Sequence, residues 1–324
     1  YKELVSHGFT MDEKGNKMSK SLGNTILPKD VIRLHGTDIL RWWVASVDYT
    51  EDVKLGDELI KQVKETYRKV RNTYKFMLGN LKDFNPETDC VKYEDMSIYD
   101  KYLMNELNNF IRDVKEQYDG YNFSEVYKLV NNFVSITLSS FYFNFTKDIL
   151  YIEKKDSRVR RSVQTVIYNI INAEVRLLAP LLPYTSEEVY KLIPKANEES
   201  VHLTDMPEVK EYSDSKELKE LFDLFFELEE IVNKKIAIAR DELKIIPSSL
   251  ESSIKINCNN KFKPVEEKLG HCLHQLFVAS KVEFTDTVED VEVEKHSGEK
   301  CNRCWNYVDH LNGDICDRCK AVIE

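Results

Sequence analysis

The sequence has little glycine and little proline, 10 and 8 in 324 residues. With few backbone breakers among abundant Glu, Lys and Leu, the composition leans towards helix. It lacks an uninterrupted apolar run of roughly 18 residues, which excludes a simple membrane-spanning helix. The start, Tyr1-Lys2-Glu3-Leu4, has no initiator Met, basic leader or apolar signal core, so a beginning inside a longer protein is expected. Positive charge is not in surplus: 46 Lys and Arg against 56 Asp and Glu give −10. That excludes indiscriminate, charge-driven nucleic-acid binding but not one basic surface on an acidic protein. No even-numbered cysteine framework exists either. Seven cysteines, four of them within 301–324, look like cytosolic, metal-type usage.

What is present is a chain of two or three domains by length, 42% hydrophobic and 31% charged, as expected of a folded soluble protein. The expected fold is mainly α, in four stretches. Residues 1–55 carry two short apolar runs around a turn, then two short helices. The first helix has Pro28 at its start and Gly36 at its end, and Thr37-Asp38 caps the second, Ile39-Leu40-Arg41-Trp42-Trp43-Val44. Trp42 and Trp43 are neighbours on that helix, so at least one belongs to a core.

Residues 56–207 form a helical bundle. Leu59, Ile60, Val63, Tyr67, Val70, Tyr74, Met77 and Leu81 step by three and four along one face. Further helices are predicted over 97–119, 123–151, 158–179 and 185–194, the last capped by Thr185 or Ser186 with Glu188 completing a capping box. Phe141-Tyr142-Phe143 belongs to the bundle core. Residues 208–295 are a small α+β unit: a helix over 215–243, an alternating strand over 252–258, a helical stretch over 264–278 and a strand around 281–284. Residues 296–324 are a cysteine-rich tail.

Three signals carry chemistry. The first is Gly8-Phe9-Thr10-Met11-Asp12-Glu13-Lys14-Gly15-Asn16-Lys17-Met18-Ser19-Lys20-Ser21-Leu22-Gly23-Asn24: a strand, a turn at Gly15, then a loop with lysines and serines around Met18. Lys17, Ser19, Lys20 and Ser21 offer compact charges and hydroxyl donors suited to polyphosphate, although a solvated basic loop has the same composition. The second is Cys301-Asn302-Arg303-Cys304 and, after eleven intervening residues, Cys316-Asp317-Arg318-Cys319. Two CxxC knuckles suit four thiolates around structural zinc, with a tight turn at Asn312-Gly313 between them. A redox dithiol is the competing use, without the strand–helix context that chemistry needs. Cys90, Cys258 and Cys272 are expected to be buried or partly buried thiols; His296 and His310 offer competing ligands but are expected to be ordinary surface histidines.

The third signal is electrostatic. Lys61, Lys64, Arg68, Arg71 and Lys75 recur at helical spacing opposite the apolar face, a stripe suited to phosphate backbone or simply a solvated face. Lys154, Lys155, Arg158, Arg160 and Arg161 cluster near the next helix start and are expected to form another basic rim. Arg303, Trp305 and Arg318 sit beside the knuckles, where an unpaired base can stack, although Trp305 more naturally packs against so small a ribbon.

Lys17-Met18-Ser19-Lys20-Ser21 is similar to the KMSKS loop of class I aminoacyl-tRNA synthetases, and Leu22-Gly23-Asn24 resembles the isoleucine and valine branch. The lead-in from Ser6 to Asp12, Arg41-Trp42-Trp43-Val44-Ala45-Ser46, Tyr67-Arg68-Lys69-Val70-Arg71-Asn72-Thr73 and Lys147-Asp148-Ile149-Leu150-Tyr151 resemble the bacterial isoleucyl family. Ala179-Pro180-Leu181-Leu182-Pro183-Tyr184-Thr185-Ser186-Glu187-Glu188, Val201-His202-Leu203-Thr204-Asp205-Met206-Pro207 and the four-cysteine tail extend the likeness over nearly the whole chain.

The resemblance implies a KMSKS stem-contact unit, a helical anticodon-binding domain, a junction and a zinc tail, from a monomeric cytoplasmic enzyme. That enzyme would use ATP with Mg²⁺, isoleucine and isoleucine tRNA. Lys20 would stabilise charge on the phosphates and Lys17 would assist or set the loop. The family's HIGH-like tetrad has no counterpart here, so the fragment alone is expected to form no adenylate. A valyl relative, a non-catalytic RNA-binding helical protein with a zinc ribbon, and a zinc-stapled interaction module are the alternatives.

Overall fold

The computed structural model describes residues 1–257 and 261–324; Cys258 therefore lies outside the described residues. By packing, the chain divides into two compact units. One comprises Tyr1–Thr88, Glu106–Ser139 and Ile167–Lys210, the other Asp89–Asn105, Ser140–Val166 and Glu211–Glu324. No described helix is long and apolar enough to cross a membrane.

In the first unit, β1 (Thr10–Met11) pairs in parallel with β2 (Val53–Lys54), Thr10 opposite Val53. Gly8 lets these segments approach, since a Cβ there would lie 2.2 Å from the Glu51 carbonyl oxygen. Helix α1 (Pro28–His35) opens with proline and ends at Gly36, whose φ of 93° is cheap only for glycine. Helix α2 (Thr37–Ser46) buries both tryptophans. The Trp42 ring lies 4.6 Å from that of Tyr127, and its Nε1 donates to Thr66 Oγ1 at 3.1 Å.

Helix α3 (Asp57–Asn80) follows its period: Ile60, Val63, Val70, Tyr74 and Met77 are buried, while its charged stripe faces solvent. Helices α4 (Ile98–Asp119) and α7 (Arg158–Leu178) contribute residues to both units. The expected single helix over 123–151 is instead three pieces: α5 (Phe123–Asn132), a π-helical stretch Phe133–Tyr142, and α6 (Phe143–Ile152). The wider winding brings residues five apart onto one side, and Phe133 and Leu138 are both buried.

Helix α8 (Pro183–Tyr190) begins two residues before the expected start. Thr185 is not its cap. Asp38 supplies a carboxylate from α2 instead, accepting from the Thr185 backbone N–H at 2.7 Å and its hydroxyl at 2.6 Å. Proline at the first helical position fixes the entry, and an anion at this end complements the helix dipole. Asp38 thus fastens α8 to α2 rather than capping its own helix.

In the second unit, Phe141, Tyr142 and Phe143 are buried, as their composition suggests. Tyr102 stacks on Phe222 at 4.0 Å, and Phe225 on Phe277 at 5.4 Å. Phe222 and Phe225 come from α9 (Ser215–Ala237), which ends in a π-helical turn, Ile238–Glu242. Strand β3 (Ser252–Asn257) is central, parallel to β4 (Lys281–Thr285) and antiparallel to β5 (Val291–Lys295). Its alternation is realised, with Ser252, Ile254 and Ile256 buried. The expected helical stretch is α10 (Lys263–Leu269) followed by α11 (Leu273–Leu276). The tail holds β6 (Glu299–Lys300), antiparallel to β7 (Tyr307–Val308), then α12 (Asp317–Ile323).

Candidate functional site

The front loop is built on one carboxylate. Asp12 Oδ1 accepts from the backbone N–H of Lys14 at 3.0 Å and of Asn16 at 2.8 Å, an Asx-type turn closed through Gly15, φ 82°. Its Oδ2 accepts from Asn24 Nδ2 at 3.0 Å. The Asn24 hydrogen bond, foremost, and those in the turn hold the Asp12 carboxyl below its usual range. Asn24 Oδ1 in turn accepts from the Ser19 N–H at 2.9 Å. The Ser19 and Ser21 hydroxyls lie 3.1 Å apart, and the Leu22 N–H donates to Ser19 Oγ at 3.3 Å. Lys17 and Lys20 differ: the Lys17 ammonium lies 4.7 Å from the Phe9 ring centroid, whereas Lys20 is exposed and has no ion pair among the described residues.

The four tail cysteines converge. The sulfurs of Cys301, Cys304, Cys316 and Cys319 all lie within 4.8 Å of one another. Four thiolates about 2.3 Å from one ion have sulfurs roughly 3.8 Å apart, so the donor set fits tetrahedral zinc and leaves no open position. Burial opposes charge on Cys301, but the backbone N–H groups of Cys304, Cys316 and Arg303 outweigh it and bring that thiol to about 6. The turn expected at Asn312-Gly313 is present, with Asn312 bridged to Ile315 and Gly313 at φ 70°. Ile152, Val308, Leu311 and Ile315 pack around the sulfurs. His310 is exposed as expected, but His296 is buried, its Nδ1 accepting from the Gly298 N–H at 2.9 Å. Of the other thiols, Cys272 is buried, while Cys90 is exposed, contrary to expectation, because it falls in an irregular connection.

The basic residues separate into free and engaged. On α3, Lys61 pairs with Glu58 at 2.6 Å and Arg68 with Glu65 at 2.7 Å; all four side chains are exposed, so these pairs hold weakly. Lys64 is exposed, and Arg68, Arg71 and Lys75 line a groove of about 800 Å³ with Lys82 and Leu192. The second basic cluster does not form a rim: Arg158 pairs with Asp95 at 2.6 Å, Arg161 with Asp89 at 3.3 Å, and Arg160 is buried against the Leu150 carbonyl. Arg303 donates to the Ile152 carbonyl at 2.7 Å, and Arg318 pairs with Asp148 at 2.6 Å and Glu153 at 2.8 Å. These two arginines fasten the cysteine module to α6.

Trp305 does not pack into the ribbon. It is 61% exposed with φ 67°, a left-handed backbone that glycine adopts freely and tryptophan does not. The ribbon's small interior is already filled by its aliphatic residues and sulfurs. Trp305 and the equally exposed Tyr151 border an apolar cleft of about 550 Å³ with Asn144, His274 and Gln275. Composition gave no warning of Tyr151 or Asn24 as site residues. The loop's fastening left its trace in the strings that resemble the family, which end in Asp12 and Asn24 on either side of the lysines.

Two family models match. Residues 1–56 match tRNA synthetases class I (I, L, M and V), and residues 100–256 match the anticodon-binding domain of tRNA ligase. The loop and the helical region thus each carry a synthetase signature. The isoleucine–tRNA ligase of Staphylococcus carnosus (strain TM300) is 47% identical over 100% of this chain and 36% of its own length. That of Staphylococcus saprophyticus is 44% identical over 100% of this chain and 37% of its own length. This chain belongs to the isoleucine–tRNA ligase family, whose C-terminal portion it matches, and the valyl alternative is not favoured. It spans little more than a third of the length of these curated relatives. Among solved structures, the ternary complex of Agrobacterium radiobacter K84 agnB2 LeuRS with tRNA and LeuAMS aligns at TM-score 0.47 and 21% identity, over 67% of this chain and 24% of that chain.

Proposed function

We propose that this chain is the tRNA-binding C-terminal part of an enzyme that activates isoleucine with ATP and Mg²⁺ and transfers it to isoleucine tRNA, acting as a cytoplasmic monomer. The stretches 1–55, 56–207, 208–295 and 296–324 would serve as stem-contact unit, anticodon-binding domain, junction and zinc tail. The observation that carries the reading is Lys20, without an ion pair among the described residues, on a loop whose base is tied down and whose other cation, Lys17, is parked on Phe9. Lys20, Ser19 and Ser21 would meet the ATP phosphates, and a cation that engages them more strongly as pyrophosphate leaves lowers the barrier. Lys17 would assist from its fixed place. Zinc on the four cysteines would supply folding energy to the tail, not chemistry.

For RNA, Lys61, Lys64, Arg68, Arg71 and Lys75 would follow phosphates along α3. Beside the zinc module, Trp305 would stack on an unpaired base, with Arg303 and Arg318 supporting it by holding the module on α6. The test is a gel shift of this chain with isoleucine and valine tRNAs at fixed, stated salt, because phosphate affinity varies steeply with salt. Preference for the isoleucine tRNA is expected. Equal shifts of both reduce the chain to a general RNA binder, and no shift of either leaves only a zinc-stapled interaction module.

A further inference from the structure

We infer that Asp12 and Asn24 form a clamp across the base of the front loop that sets where Lys20 and Ser19 stand, making them positioning residues for phosphate chemistry; the inference rests on the loop reading proposed above. Twelve residues separate the two side chains, yet Asn24 Nδ2 donates to Asp12 Oδ2 at 3.0 Å. The two oxygens of Asp12 divide their tasks. Oδ1 takes the backbone N–H groups of Lys14 and Asn16 and so builds the turn, whereas Oδ2, besides a long 3.4 Å bond from the Asn16 side-chain amide, reaches the far end of the loop. A carboxylate serving only the turn has no need of the second link.

Asn24 is used on both faces of its amide. Oδ1 accepts from the Ser19 N–H at 2.9 Å, and Nδ2 also donates to the Lys17 carbonyl at 3.3 Å. The side chain therefore grips the backbone at Lys17 and Ser19, on either side of Met18, and passes that grip to Asp12. Between the clamped points the Met11–Lys17 bridge holds the ascending limb, and Gly23, φ 66°, turns the descending limb into Asn24. Lys20, Ser21 and Leu22 are left exposed at the crest. Such a base confines the crest to a narrow range of positions without occupying either lysine, which is how a mobile phosphate-binding loop keeps its orientation.

The chemistry of the pair gives a selective test. In the full-length ligase, Asn24→Asp places two carboxylates against each other and removes the donor to Lys17. The exchanged pair, Asp12→Asn with Asn24→Asp, restores one donor and one acceptor across the base and keeps an acceptor for the Ser19 N–H. ATP–pyrophosphate exchange with isoleucine is measured for both, for Asn24→Ala and for Lys20→Ala, with thermal midpoint and tRNA affinity alongside. The expectation is about a tenfold or greater fall in kcat for Asn24→Asp, from lost hydrogen bonds and added repulsion. KM for isoleucine, thermal midpoint and tRNA affinity should hold, Asn24→Ala should fall in between, and the exchanged pair should return to within about threefold of wild type. A normal kcat for Asn24→Asp with a crippled Lys20→Ala overturns the clamp and leaves the loop reading standing. Undiminished exchange by Lys20→Ala removes the loop reading and the clamp with it. An exchanged pair no better than Asn24→Asp shows a merely structural requirement at 24 and also overturns the inference.

Discussion

The front loop and the cysteine tail are both short, poor in regular structure and rich in polar groups, yet they are held in opposite ways. The loop has almost no buried apolar side chain; a single carboxylate with four donors and two left-handed glycines shape it. The tail buries three of its four cysteines completely or nearly so and is fastened to α6 through Arg303 and Arg318. One arrangement suits groups that must move against a ligand, the other a module that must not move at all. A hydrogen-bonded loop costs little to distort, whereas a metal-type cluster either forms or does not.

The largest expected effect comes from attacking the tail. Chelation, or Cys301→Ala, should release one zinc per chain and unfold residues 296–324, because structural zinc contributes on the order of 10 kcal/mol to such small modules. Elemental analysis and amide exchange check it: tail amides should lose protection while those of Asp12 to Asn24 keep theirs. If both regions loosened together, the contrast drawn between them would fail. Next comes Lys20→Ala in the full-length ligase, expected to lower isoleucine activation by about 10²–10³-fold, as removal of one transition-state donor does elsewhere. Thermal midpoint should not move, since the side chain is exposed and has no ion pair among the described residues. A rate within a few-fold of wild type would remove the catalytic role.

Much of this was legible in the primary structure, for unequal reasons. The α3 face and the alternation of β3 follow from apolar periodicity, which survives folding because burial enforces it. The four cysteines were legible because two CxxC pairs keep the spacing that a tetrahedral set of sulfur donors requires. The π-helical stretch was not, since nothing in Phe133–Tyr142 distinguishes one helical winding from another before packing. Strand β5 hid behind its glutamates: Val291 and Val293 alternate properly, but two residues on one face are a faint signal. The Asp38 link to α8 and the two engaged arginines escaped because side-chain partners far apart in sequence leave no local mark. Charge on a surface helix and charge spent inside a fold read alike.

Acid should separate the two regions by order of events. The Asp12 carboxyl lies below its ordinary value in the folded loop, so its contribution is complete above the unfolded value near 3.8 and is lost only as pH falls through the lower folded value. Zinc on the four cysteines would be held by thiolates, for which protons compete, so the tail should release metal in a mildly acidic range while the clamp is intact. Zinc release followed by a metal-sensitive dye, beside the amide signals of Ser19 and Asn16, measures both. Loss of the loop signals at or above the pH of zinc release would reverse the order and show the carboxylate clamp to be the weaker device.

The smallest effect concerns Trp305, the point at which the rigid tail meets solvent. Its left-handed φ of 67° costs a tryptophan roughly 1–2 kcal/mol, and its 61% exposure recovers little by burial. Trp305→Gly should therefore leave zinc stoichiometry unchanged and raise the tail's stability slightly, by about 1 kcal/mol or less, because glycine adopts this backbone without strain. The same variant should weaken binding of isoleucine tRNA by the roughly 1–3 kcal/mol usual for one stacked base, with little change in salt dependence because no charge is lost. Stability and affinity moving in opposite directions would mark Trp305 as a residue kept for its partner. If glycine destabilised the tail instead, the ring would be packing the fold after all, and the difference between a loop built to engage and a tail built to hold would be sharper than drawn.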